Sequence, residues 1–145
     1  YDMLPQNIAS LGYLTARPHN LLRRRIQSYL DEAGMELSME HYPVLNNLWV
    51  KDHITQQTLA DLIGADRHRV SRMLDVLQKQ GWIERLPHPE SRRENLIAVT
   101  KAGQSRQSDV MACIQRALDE ATAGIAESRR KALISDLQKI CRNLT

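Results

Sequence analysis

The side chains best suited to chemistry are arginines that cluster at the start of one predicted helix. Arg67, Arg69 and Arg72 occur in a short run that contains no acidic residue. A guanidinium donates two parallel hydrogen bonds to a phosphate, or to the O6 and N7 atoms of guanine. The first turn of a helix also carries a partial positive charge, which attracts anions. The run therefore predicts a surface that binds phosphates and base edges.

The two faces of this predicted helix separate apolar from polar residues. At about 100° per residue, one side carries the apolar stripe Val70, Met73, Leu74 and Leu77. The opposite side carries His68, Ser71, Arg72 and Asp75, with Arg67 and Arg69 at its margins. Asp75 is expected either to accept a hydrogen bond from a cytosine amine or to pair with Arg72. An ordinary solvated face is the alternative interpretation, and the neighbouring elements decide between the two.

Those elements predict a winged helix-turn-helix. Thr55 is a candidate N-cap for a short helix, and Asp66 is a candidate N-cap for the arginine-bearing helix, which Gly81 ends. Two β-prone runs follow, Trp82–Leu86 and Leu96–Val99. In such a fold the second helix of the motif fits into the DNA major groove. Double-stranded DNA is therefore the expected partner.

The polar tip between the two β-prone runs predicts a second contact. Arg92 and Arg93 extend from a loop that is too polar to pack against a core. The negative potential of the minor groove attracts arginine side chains at such a tip. A solvated tip that only increases solubility is the alternative.

Long amphipathic helices precede the predicted winged domain. The apolar residues from Ile8 onwards predict a helix that Gly34 ends, with a kink or a junction of two helices at Pro18. Ser38 is a candidate N-cap for the helix that follows.

Further amphipathic helices follow the predicted hairpin. Thr100 is a candidate cap for a helical region over about 104–123, and a last helix begins at Glu127. The terminal helices carry more apolar surface than one small domain can cover, so pairing with a second copy is expected.

The composition excludes several classes of protein. The chain has 145 residues, 20 Lys and Arg against 17 Asp and Glu, and a formal net charge of +3. No apolar run approaches the roughly 18 residues of a membrane span, and no leader is recognisable, so a cytoplasmic protein is expected. Phosphate-loop and nucleophile-elbow motifs are lacking, so no enzymatic activity and no cofactor are expected. The five histidines lack metal-ligand spacing.

In its predicted helix-turn-helix and hairpin the chain resembles the multiple-antibiotic-resistance regulator (MarR) family. The resemblance rests on the runs Arg72–Asp75, Gly81–Arg85 and Lys101–Gly103, and on Arg93 seven residues before Thr100. It implies a mainly α fold with a small β-hairpin wing, and a homodimer whose first and last helices interlock. We place an N-terminal dimerisation region at 1–36, the winged helix-turn-helix at 37–100, and C-terminal dimerisation helices at 101–145.

The resemblance also implies a function for this fold. Family members are mostly repressors, so a transcription regulator that binds a pseudo-palindromic operator is expected, with the two recognition helices about 34 Å apart. An acid in the family's wing commonly braces the arginine that enters the minor groove. Arg93 takes the place of that arginine and Ser91 that of the acid. Because Ser91 has no charge, the brace is either weaker or supplied by Glu90 or Glu94.

In the resembled family, a small aromatic or phenolic acid often binds between the dimerisation helices and the winged domain. Candidate contacts by position are Tyr13, Arg17, Tyr42 and Trp49, with Arg17 as the partner of a carboxylate. Each of these side chains has a core or surface role as its alternative.

Two further interpretations stay open. Cys113 and Cys141 would allow a redox sensor of the same fold, although both fall at spacings typical of small buried residues. A winged helix that binds only a protein partner is the other interpretation, and the arginines of the helix and the tip argue against it.

Overall fold

A computed structural model of the chain describes residues 6–145. Helices dominate, and a small antiparallel sheet takes its strands from both sides of the third and fourth helices in the chain. In chain order the elements are α1 (Leu11–Glu32), α2 (Tyr42–Val50), β1 (Ile54–Thr55), α3 (Gln56–Ile63), α4 (Arg67–Lys79), β2 (Ile83–Pro87), β3 (Asn95–Val99), α5 (Lys101–Ser105), α6 (Gln107–Ala121) and α7 (Glu127–Leu144). The mainly α fold with a hairpin wing is confirmed.

The first helix is continuous through its proline. A short 3-10 turn, Ile8–Ser10, leads into α1, and Asn7 caps that turn through a 2.9 Å bond from the amide of Ala9. Pro18 lies inside α1 and removes one main-chain donor without ending the helix. Two separate helices at Pro18, one of the two expected outcomes, are therefore not formed. Gly34 follows the helix at φ +69° and closes its end, as predicted.

The second helix begins later than predicted. α2 starts at Tyr42 with His41 at its N-cap position, so the assignment of Ser38 as the cap is wrong. Ser38 instead forms a turn, because its carbonyl accepts from the amides of His41 and Tyr42 at 2.9 and 3.1 Å. Pro43 in the first turn then favours helical geometry from that point.

The helix-turn-helix forms as its capping residues predict. The side chain of Thr55 accepts from the amide of Thr58, and that of Asp66 accepts from the amide of Arg69. Gly64, at φ +72°, makes the turn between α3 and α4. Gly81, at φ +82°, follows the end of α4.

The sheet contains one strand more than the sequence predicts. β2 and β3 form the expected hairpin, with Arg85 opposite Ile97. β1 adds to the other side of β3, with Ile54 opposite Ile97, which gives the order β1-β3-β2. Beyond β1, Asp52 Oδ1 accepts from the amide of Val99 at 3.0 Å.

One hydrophobic core joins the sheet and α2–α4 to the second half of α1. Trp82 is fully buried, and its Nε1 donates to the carbonyl of Glu36 at 2.9 Å. This bond ties the start of the hairpin to the segment between α1 and α2. Leu30 from α1 and Val110 and Ala117 from α6 complete the core.

The C-terminal region differs from the prediction in two ways. Thr100 caps α5 through a 2.9 Å bond from the amide of Gly103, but Arg106 interrupts the predicted single helix between α5 and α6. α7 forms as expected, yet none of its residues is buried in the described chain. Cys141, expected to be buried, is therefore exposed. Within residues 6–145, no helix combines the length and apolar character needed to cross a lipid bilayer.

Candidate nucleic-acid interface

The fourth helix sorts its side chains as the sequence predicts. Its apolar stripe is at most 4% exposed and packs into the core. The opposite face carries the exposed residues Arg67, His68, Arg69 and Arg72 and the half-buried Ser71. We call α4 the recognition helix. In the described part of the chain, none of its three arginines forms an ion pair with a carboxylate.

The N-terminus of the recognition helix is fixed by a charged cap. The hydrogen bond from the amide of Arg69 lowers the pKa of Asp66 below its usual range, and the charges of Arg72 and His68 act in the same direction. The carboxylate therefore stays ionised at neutral pH and holds the first turn in place. The arginines of that turn consequently project from a well-formed helix end.

Asp75 does not pair with Arg72. Its Oδ1 instead accepts from Nη2 of Arg85 at 2.8 Å. Arg85 comes from β2, so this ion pair joins the hairpin to the recognition helix. Sequence reasoning missed the contact because it links two elements across the tertiary fold.

The tip of the hairpin, residues 88–94, presents its two arginines to solvent. We call β2, β3 and this tip the wing. Ser91 Oγ accepts from the amide of Arg93 at 3.3 Å, so Ser91 shapes the main chain and leaves the guanidinium without a charged brace. Among residues 6–145, no carboxylate forms an ion pair with Arg92 or Arg93, so the alternative brace by Glu90 or Glu94 is not formed.

The four predicted effector residues fall in different places. A groove of about 560 Å³ lies between α1 and α6, and Arg17 is the member of the four that lines it. The other lining residues are Leu14, Pro18, Leu21, Leu22, Arg25, Ala117, Glu120 and Ala121. Tyr42 and Trp49 pack edge to face on α2, with ring centroids 6.3 Å apart. Tyr13 is exposed on α1 and does not line the groove.

Sequence reasoning missed Arg25 of α1 and Glu120 of α6, which both line this α1–α6 groove. Arg25 Nη1 donates to Glu120 Oε2 at 2.6 Å, and the hydroxyl of Tyr29 donates to Glu120 Oε1. The bond from Tyr29 and the charge of Arg25 lower the pKa of Glu120. The spacing of Leu14, Leu21 and Arg25 could have placed Arg25 on this face of α1. No signal in the sequence links Glu120 to it.

The two cysteines have different surroundings. Cys113 is half-buried, and its Sγ donates to the carbonyl of Tyr29 at 3.6 Å. Burial raises the pKa of the Cys113 thiol, and a higher pKa reduces the fraction of reactive thiolate. Among the residues from 6 to 145, no group of three or more His, Cys, Asp and Glu side chains is placed to hold a metal ion.

The helices α3 and α4 and the wing define the chain as a winged helix-turn-helix protein. Residues 37–95 match the model of the MarR family, so this segment is a MarR-family domain. The multiple antibiotic resistance protein MarR of Salmonella typhimurium is 31% identical over 96 residues, which cover 66% of this chain and 65% of that protein. The match thus spans slightly less than two thirds of the relative. An uncharacterised HTH-type transcriptional regulator of Bacillus subtilis, YdgJ, is 27% identical over 78% of this chain and 69% of its own.

Solved structures share the fold over nearly the whole chain. A MarR-family transcriptional regulator from Rhodococcus sp. RHA1 is 25% identical with a TM-score of 0.80, over 94% of this chain and 96% of that chain. A mutant MarR of Escherichia coli complexed with operator DNA is 24% identical with a TM-score of 0.81, over 93% of this chain and 99% of that chain. These similarities extend the fold assignment to the helices that flank residues 37–95.

Proposed function

We propose that the protein is a transcription regulator that binds double-stranded DNA sequence-specifically and represses the genes it binds. One observation carries the proposal: the recognition helix buries its whole apolar stripe and presents Arg67, His68, Arg69 and Arg72 to solvent. Ser71 and the wing arginines Arg92 and Arg93 complete the proposed DNA contacts. The family domain and the operator complex of the similar MarR structure support this assignment.

Selection of bound duplexes from a random DNA pool tests sequence-specific binding. The selected duplex is then titrated against a scrambled duplex at two salt concentrations. We expect a pseudo-palindrome with half-sites about ten base pairs apart and a steep loss of affinity with salt. Equal affinity for the two duplexes would overturn the assignment and favour a protein partner.

We propose further that the protein acts as a homodimer. The support comes from α7, whose apolar side chains Leu133, Leu137 and Leu144 are 52%, 39% and 82% exposed. Such a stripe on an 18-residue helix is expected to bury itself against a second copy. In this proposal 1–36 and 101–145 serve dimerisation and 37–100 bind DNA. Sedimentation at micromolar concentration tests it, and a monomer would contradict it.

A small aromatic or phenolic acid is the proposed releasing ligand. The α1–α6 groove offers apolar walls and the cationic Arg17, whereas its Arg25 is paired with Glu120. Its volume lies in the range of small-molecule sites. The ligand acts only if it binds the DNA-free state more tightly than the bound state. We expect 4-hydroxybenzoate to release the operator and its uncharged amide to have no effect. Retention of the response in Arg17→Gln would remove Arg17 from the site.

A further inference from the structure

One arginine of the wing crosses to the recognition helix. Arg85 lies on the same side of β2 as the buried Ile83. Its Nη2 donates to Asp75 Oδ1 at 2.8 Å and to the carbonyl of Ser71 at 3.3 Å, and its Nη1 donates to Gln78 Oε1 at 2.5 Å. Only 20% of the Arg85 side chain is exposed. Arg85 is therefore held by the protein and is not free to reach for DNA.

The three acceptors lie on one face of the recognition helix. Ser71, Asp75 and Gln78 follow each other at intervals of four and three residues, the spacing of neighbours on a helix surface. A planar guanidinium can bind all three from one position, because its two terminal nitrogens point in fixed directions. These bonds fix one strand of the wing along about two turns of the helix.

The same contact alters the electrostatics of the DNA-facing surface. Asp75 is 67% exposed and lies on the face of α4 that carries Arg72 and His68. An unpaired carboxylate at this position would repel phosphates. The ion pair with Arg85 offsets its charge, so the surface keeps its preference for anions.

We propose that Arg85 is a positioning residue that holds the wing against the recognition helix, and that Asp75 acts through Arg85 and not on a base. This inference rests on the proposed DNA binding. With the contact intact, the wing arginines and the recognition helix engage one duplex as a unit. Without it, each part binds separately and the wing adds little.

Neutralising Asp75 tests the proposal, because loss of the ion pair and simple removal of a negative charge predict opposite changes in DNA affinity. Removal of a negative charge near DNA should by itself tighten binding. We expect Asp75→Asn instead to weaken binding to the selected duplex by about threefold to tenfold, with the same preferred sequence. Glu84→Gln is the matched control, because Glu84 is an exposed acid on the opposite side of β2, and it should bind at least as tightly as the wild type. Tighter binding by Asp75→Asn, or a changed preferred base, overturns the proposal.

A double-mutant cycle tests the coupling between Arg85 and the wing tip. Arg93→Ala is expected to weaken binding about tenfold in the wild-type background and less than about twofold in the Arg85→Gln background. Lys79→Gln is the control, since it removes an exposed positive charge from the end of α4. The effects of Lys79→Gln and Arg93→Ala should add. Additive losses for Arg85→Gln and Arg93→Ala would show that Arg85 supplies only charge.

Hydrogen exchange of the free protein separates this proposal from the proposed function. The amides of residues 86–96 are expected to exchange faster in Arg85→Gln than in the wild type, and Lys79→Gln should not change them. Unchanged exchange in Arg85→Gln overturns the positioning role whether or not DNA is bound. Failure of the wild-type protein to select any sequence would overturn the proposed function. The exchange result would still show whether Arg85 holds the wing against the recognition helix.

Discussion

Gly103 packs directly against the main-chain carbonyl of Trp82. A Cβ atom on Gly103 would lie 2.3 Å from that oxygen and 2.9 Å from Cγ1 of Val99. Because the carbonyl belongs to the main chain at the entrance to β2, it cannot move without shifting the sheet. We expect Gly103→Ala to lower the free energy of unfolding by about 2 kcal/mol, measured by urea denaturation.

Gly12 provides the matched control for this substitution. It lies in the first turn of α1, and a Cβ atom there would meet nothing within 4 Å. Gly12→Ala is therefore expected to leave stability unchanged or to raise it by up to about 1 kcal/mol. Equal stability of Gly103→Ala and Gly12→Ala would show that the α5–sheet contact is loose.

The cap of the recognition helix predicts a dependence of stability on pH. The pKa of Asp66 is lowered in the folded protein, mainly by the hydrogen bond from the amide of Arg69. The unfolded chain, with an aspartate pKa of about 3.9, therefore binds a proton first as the pH falls. The stabilisation by the ionised cap is present above about pH 4 and is lost as the pH falls through the folded pKa.

Comparison with Asp66→Asn isolates this effect, because asparagine keeps the acceptor oxygen and cannot titrate. We expect the wild type to exceed Asp66→Asn in urea midpoint at pH 6, and the difference to shrink on acidification to pH 3. A difference that is constant across this range would contradict the ionised cap.

The exposed wing arginine predicts a change in the salt dependence of DNA binding. Arg93→Ala should weaken binding to the selected duplex, and the slope of log K against log salt should fall by about one. Its thermal unfolding should match that of the wild type, because Arg93 is exposed at the tip. Arg23→Ala, which removes an exposed arginine from α1, should change neither quantity. Wild-type affinity of Arg93→Ala at physiological salt would show that Arg93 of the wing does not contribute to DNA binding.

The apolar stripe of α7 predicts the effect of a charge on dimerisation. Leu137→Glu places a carboxylate between Leu133 and Leu144 and should shift the sedimenting species to a monomer, because a charge is costly to bury at an interface. Ser135→Glu places the same charge on the opposite side of the helix and should leave the dimer intact. Two variants that sediment alike would exclude the stripe as the interface.

Local interactions account for the parts of the fold that the sequence predicts correctly. The caps at Thr55, Asp66 and Thr100 bind amides three residues away, so their signal lies within one turn. The apolar stripe of the recognition helix has a period that a sequence shows directly. Ser38 was misassigned because a serine that forms a turn has the same local preferences as one that caps a helix.

Contacts between distant segments account for what the sequence could not predict. β1 has only two residues, too few for any alternation to appear, and it is defined by its pairing with β3. Arg85 meets Asp75 ten positions away through the packing of a strand on a helix. The ion pair of Arg25 and Glu120 joins residues 95 positions apart, so only the tertiary fold brings them together.

The hydrogen bond from the amide of Val99 to Asp52 affects how readily the protein aggregates through its sheet edge in a concentrated solution. β1 ends the ladder at Ile54, and His53, at φ +56°, turns the chain away before it can continue alongside β3. The next donor on that flank would be open to a strand of another molecule, which is how sheet edges begin to aggregate. The Asp52 carboxylate occupies that donor and places a negative charge beside it. A single acidic side chain thus covers the flank of β3 that lies beyond the pairing of Ile54 with Ile97.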